Sequence, residues 1–149
     1  MKSFIDISYE KEEFFNIIKE KDVEKWIKKV LKELNLKNKS CSLFFCKDET
    51  IRELNKNYRN KDYVTDVLSF SQLEGDVIES SNFLGDIVLC VDQAIRQAKQ
   101  YENDVLQEIS FLILHSILHL LGHDHETDNG EMEELEKKIF LKLTGVVIE

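Results

Sequence analysis

Proline is absent from all 149 residues, and glycine occurs only five times. The chain therefore has no Pro/Gly-rich linker, and Gly, Asn, Asp and Ser must supply the breaks between elements. Cysteine is scarce and odd in number: Cys41, Cys46 and Cys90, with no C-x-x-C pair. That argues against a disulfide framework and against a cysteine zinc site, and points to buried thiols in a reducing cytoplasm. Long apolar runs are missing too. A membrane span needs about 18–20 such residues, and the longest stretch, ISFLILHSILHLLGH, falls short and carries histidines. The opening MKSFIDISYE has no hydrophobic signal core, so the expectation is a cytoplasmic protein without a membrane partner. Repeats and low-complexity tracts are also missing, and the length fits one domain over residues 1–149.

The net charge is −9 and the pI about 5.0, which by themselves speak against a general nucleic-acid binder. The charge is uneven. Residues 1–61 carry 15 Lys/Arg against 11 Asp/Glu, and residues 62–149 carry 5 against 18. A basic face on an acidic protein is one reading; an ordinary solvated surface is the other.

Apolar spacing predicts an α+β protein: a small mixed sheet of about four strands packed with about five helices. Strands are expected at residues 2–9, 40–46, 67–70 and 84–91. Residues 11–19 read as helical or irregular. Helices are expected from an Asp22 cap to about residue 34, over 48–58 with Ile51, Leu54 and Tyr58 inward, over 92–101, from an Asp104 cap to 121, and over 130–143. Residues 71–83 read as a loop.

The histidines are the clearest signal. All four lie in HSILHLLGHDH, as His115, His119, His123 and His125. His115 and His119 are four apart, so they share one face of the expected central helix, with Cβ atoms about 5–6 Å apart. Two neutral imidazoles so placed can bind one Zn²⁺. Gly122 can end the helix in a left-handed conformation, and His125 can then swing back as a third ligand. The spacing H-x3-H-x2-G-x2-H is that of the metzincin peptidases. Three histidines leave a fourth position open, as in catalytic zinc sites. One Zn²⁺ per chain is expected, at the end of the central helix. His123 is either a neighbour behind the ligands or a solvent-facing residue. Asp124 either orients a ligand histidine or makes a turn. Ser116 stands where zinc peptidases place the glutamate base, and a hydroxyl cannot do that work, so ordinary peptide hydrolysis is disfavoured.

A second constellation lies in LNKNYRNKDYVTDVLSF, residues 54–70. Arg52, Lys56 and Arg59 have the spacing of a helical stripe, and two of the chain's three arginines are here. The stripe and Lys61 could meet phosphate groups, or simply be a solvated face. A guanidinium matches a phosphate with paired donors.

Together, LNKNYRNKDYVTDVLSF (54–70), LGDIVLCVDQAIRQA (84–98) and HSILHLLGHDH (115–125) resemble the YbeY endoribonucleases, bacterial rRNA maturation factors. They are similar to that family's LNxxYRxxDxPTDVLSFP, GDI strand and HGxLHLxGYDH, over most of the chain. The resemblance implies a metal held by His115, His119 and His125, and Arg59 as the important arginine. It also implies single-strand-specific RNA cleavage in maturing the 3′ end of small-subunit rRNA and in ribosome quality control. Implied partners are single-stranded RNA, small-subunit rRNA and the ribosomal particle, with a small-subunit ribosomal protein or an assembly GTPase as further candidates. The chain departs from the pattern at Ser116 (glycine in the family), His123 (tyrosine), and Val64 and Ser71 (prolines), which would leave the TDVLSF segment less rigid. The base could be a hydroxide on the metal, Asp124, or the ribose 2′-OH as internal nucleophile. Asp66 and Asp86 either support the site or cap turns. Two other classes stay open: a non-catalytic assembly factor with a structural zinc, and a zinc-dependent hydrolase or peptidase.

Overall fold

The computed structural model describes residues 5–36, 38–72, 82–124 and 126–148. Among these are four strands and six helices. The segment β4 (Phe83–Cys90) reads FLGDIVLC, apolar at nearly every position, which suits a strand covered on both faces. It lies inside a sheet ordered β1-β2-β4-β3. The others are β1 (Asp6–Tyr9), β2 (Ser40–Cys46) and β3 (Val67–Ser71). β1 and β4 pair with β2 in parallel, and β3 runs antiparallel along β4. The sheet is thus mixed, as expected.

Alternate residues of the central strands feed two cores. Cys41, Leu43 and Phe45 of β2 and Ile87 and Leu89 of β4 join the larger one. It also takes in side chains of α2 (Glu20–Glu33), α5 (Val105–Leu120) and α6 (Glu131–Thr144). Cys46, Val88 and Cys90 pack on the opposite face against Ile51 of α3 (Asp48–Arg59) and Leu68. The remaining helices are α1 (Glu13–Ile17), in the stretch read as helical or irregular, and α4 (Val91–Gln100). The helix α5 packs on β3, β4, α2, α4 and α6, so it is the central helix. The Trp26 indole of α2 donates to the Ser110 carbonyl of α5 at 2.8 Å, tying the two together.

Two local expectations are corrected. The helix α2 starts at Glu20 with Lys19 as cap, so Asp22 sits in the first turn, where its charge still suits the helix dipole. Tyr58 is not inward: it is 69% exposed, because α3 turns that position to solvent, and its ring meets Phe70 edge-on at 5.4 Å. Asn55 is the buried residue of that turn. The strand expected over 67–70 is present and runs one residue further, to Ser71. The expected loop over 71–83 and the start of the first strand fall largely on residues 73–81 and 1–4, outside the described residues.

Candidate functional site

The site begins with the C-terminal half of α5. Asp104 caps that helix at its other end, accepting from the Leu106 backbone at 2.8 Å. His115 and His119 emerge on one face, and their Nε2 atoms stand 3.2 Å apart. Two imidazoles on a tetrahedral zinc at about 2.0–2.1 Å would have nitrogens about 3.3 Å apart. The separation of the donor pair is therefore close to what such an ion requires. After Leu121 the chain reverses at Gly122, whose φ of +97° is one that residues with a Cβ rarely adopt. Gly122 donates to the His119 carbonyl at 3.0 Å, and His123 to the Leu118 carbonyl at 3.1 Å, the paired bonds of a Schellman turn. His125 lies outside the described residues.

The sheet fixes this helix end. The Ser71 hydroxyl donates to the Leu120 carbonyl at 3.1 Å, so the serine found in place of a family proline anchors strand to helix. Gly85 of β4 allows the close approach. A Cβ there would lie 2.3 Å from the Phe70 carbonyl oxygen and 2.8 Å from Leu120 Cδ2.

On the other side stands a residue that the sequence reading missed. Glu136 of α6 is 5% exposed, and its Oε1 lies 2.5 Å from His115 Nδ1. Its signal in the sequence was an acidic residue within the apolar stripe Met132, Ile139 and Phe140.

A groove of 780 Å³ opens over the histidines. Arg59 and Lys61 line it together with His115, His119, His123 and Asp124. Arg59 is the last residue of α3. Asn60 then takes a left-handed φ of +57°, and Asn55 Nδ2 donates to the Tyr63 carbonyl at 3.0 Å. These local bonds aim the segment after α3 at the groove. Two exposed tyrosines, Tyr58 and Tyr63, also line it. A second cavity of 680 Å³, between α5 and α6, shares His115 and Asp66 with the first.

The remaining predicted residues divide. Arg52 points elsewhere: its Nε donates to Asp62 at 2.8 Å, and the bond holds that carboxyl below its ordinary pKa. Neither Arg52 nor Lys56 lines the groove, so the expected stripe is split. Ser116 is fully buried, with no hydrogen-bond partner for its hydroxyl among the described residues. It is therefore absent from the groove, on a different face of α5 from the histidines. Asp124 accepts from the Glu126 backbone at 2.9 Å, which makes it a turn residue that also borders the groove. Asp66 lines both cavities and accepts from the Val67 backbone at 2.7 Å. Asp86 is away from them and accepts from the Ser42 hydroxyl across the sheet.

Asp48, Cys90 and Asp92 also bring potential metal-binding atoms within 4.8 Å of one another. Their chemistry is already committed. Arg96 donates to both Asp48 oxygens, at 2.7 and 3.0 Å, and its hydrogen bond lowers the Asp48 pKa. Burial pushes the Cys90 thiol up to about 12, so it stays protonated and donates to Asp48 at 3.3 Å. Asp92 accepts from the Asp48 backbone at 3.1 Å. This set ties the start of α3 to α4 and lines neither cavity.

The chain is similar to known proteins over most of its length. The family model described as "Endoribonuclease YbeY" matches residues 6–144. A protein of that name from Finegoldia magna is 47% identical over 128 residues, which is 84% of this chain and 82% of the relative. One from Aquifex aeolicus is 41% identical, over 85% of each chain. The solution structure of a Thermotoga maritima protein superposes with a TM-score of 0.66 at 27% identity, covering 95% of this chain and 90% of that one. By sequence over nearly its whole length, the chain belongs to the YbeY endoribonuclease family.

Proposed function

We propose that this protein is a single-strand-specific, metal-dependent endoribonuclease that matures the 3′ end of small-subunit rRNA and acts in ribosome quality control. One Zn²⁺ would be held by His115, His119 and His125. The observation that carries the reading is the converging histidine pair on the floor of the groove that Arg59 borders.

Bound there, the ion would supply a Lewis acid that lowers the pKa of water and polarises a phosphate oxygen. The protein's own groups do the rest. The Arg59 guanidinium presents paired donors to the scissile phosphate and offsets charge that builds in the transition state. Lys61 attracts the backbone beside it. Tyr58 and Tyr63 offer exposed ring faces on which unpaired bases stack, a mode that a duplex cannot use. This local pairing of cations with aromatics is what lets a chain of net charge −9 take up RNA. The small-subunit particle is the partner, and the cytoplasm the setting; no described helix is long and apolar enough to cross a membrane. Peptide hydrolysis is the weaker reading, because Ser116 holds the position of the peptidase base and lies in the core.

The test is cleavage of a single-stranded RNA by zinc-loaded protein beside His119→Ala and Arg59→Glu, with metal content measured for all three. The expected result is loss of cleavage in both variants and loss of metal only in the histidine variant. Metal bound by the parent without RNA cleavage would point instead to a docking role on the ribosomal particle. Equal cleavage by all three would expose a contaminating nuclease.

A further inference from the structure

The side of α6 that faces the core is apolar except at one place. Met132, Ile139 and Phe140 are buried there, and so is Glu136, at 5% exposure. It is the one acidic or basic side chain among the described buried residues. Burying a carboxylate without a partner is costly, and the stripe asks for a Leu or Ile at this position. A local rule broken inside a core tends to mark function. The partner of Glu136 is His115, with Oε1 2.5 Å from Nδ1.

We propose that Glu136 is a positioning residue for the metal site. Its carboxylate keeps the ring hydrogen of His115 on Nδ1, which leaves the lone pair on Nε2, and it fixes the ring so that Nε2 aims at the groove. A carboxylate oxygen only accepts, so the nitrogen facing it must be the donor. In the neutral ring the other nitrogen is then the acceptor, and it is the one 3.2 Å from His119 Nε2. Without Glu136 a neutral imidazole can carry its hydrogen on Nε2, where it blocks coordination. The arrangement also ties α6 into the site, because Asp128 accepts from the backbone of Gly130 and Met132 and so sets where α6 begins. Helix α6 thus contributes to metal binding without supplying a ligand. The proposal rests on the reading of His115 as a ligand.

The test uses the full chain with Glu136→Leu and Glu136→Gln, beside His115→Ala. The leucine fits the apolar stripe, so Glu136→Leu is expected to fold, with some loss of thermal stability because the His115 Nδ1 hydrogen loses its acceptor. Zinc affinity, measured by chelator competition, is expected to fall about 10–100-fold in Glu136→Leu. Glu136→Gln, which retains an acceptor but no charge, should fall between Leu and parent. Long-range ¹H–¹⁵N spectra of the metal-free proteins read the tautomer directly. His115 should carry its hydrogen on Nδ1 in the parent and shift toward Nε2 in Glu136→Leu. An unchanged tautomer with zinc affinity within twofold of the parent in both Glu136 variants would overturn the proposal while leaving the ligand assignment intact. Full zinc affinity in His115→Ala would overturn the ligand assignment itself, and the proposal with it.

Discussion

His115 and His119 stand ring-edge to ring-face, with centroids 4.7 Å apart and planes at 75°. Helical spacing brings the two rings together, and neighbours hold the His115 ring in its place. Glu136 holds one side of His115, and Phe111 lies one turn back with its centroid 6.3 Å away. A prepared donor pair has a thermodynamic consequence: zinc that binds the folded chain and not the unfolded one must stabilise the fold. Free zinc at a hundred times its Kd is expected to add about 2.7 kcal/mol. Chemical denaturation with and without zinc measures this. His119→Ala should abolish the gain, and a gain that survived in that variant would place the metal elsewhere.

Tyr58 and Tyr63 are 69% and 53% exposed, and both border the groove. Removing either ring should weaken binding of a single-stranded oligonucleotide by about 1–3 kcal/mol, the worth of one stacked base. Fluorescence anisotropy reads this, and metal content should not change. Tight binding by a Tyr58→Ala, Tyr63→Ala double variant would remove the stacking role.

The two halves of the basic segment should separate by salt. Lys61 borders the groove, whereas Arg52 is tied to Asp62. Lys61→Ala is expected to reduce the slope of log affinity against log salt by about 0.7, one phosphate contact on a single strand. Arg52→Ala should leave the slope as it is. The reverse pattern would place the RNA track along the outer face of α3.

Gly85→Ala should cost more than a surface substitution, about 2 kcal/mol or more in urea unfolding. The added Cβ would meet the Phe70 carbonyl oxygen at 2.3 Å, and the φ of +147° suits glycine. The displacement would fall on the end of α5, so metal affinity should drop as well. A variant as stable as the parent would mean that β3 and β4 separate there at little cost.

The buried thiols predict a pH dependence. Burial pushes Cys41 and Cys90 each up to about 12, from an ordinary value of 9.0. Folded-state values above the unfolded ones mean that the contribution to stability is complete below pH 9.0 and is lost as pH rises through about 12. Alkaline unfolding should therefore set in across that window. A thiol reagent at neutral pH should label none of the three cysteines quickly in the native chain and all three after denaturation. Fast native labelling of Cys90 would show that the Asp48–Arg96 cover opens readily.

Much of this protein was legible in one dimension. The i, i+4 histidines and the glycine after them define a helix end with two imidazoles on one face, because helical pitch alone puts those side chains together. Apolar spacing located the principal strands and helices to within a few residues, since a half-buried helix and a doubly covered strand leave different periods. The resemblance over three segments named the family. Only the tertiary structure separated Arg59 and Lys61 from Arg52 and Lys56, because an ion pair to Asp62 and a left-handed turn at Asn60 decide which cations reach the groove. It alone turned Tyr58 outward and sent Ser116 into the core. It alone brought Glu136 to His115, across 21 positions of chain, since a contact between two helices depends on how they pack and leaves no period in the sequence.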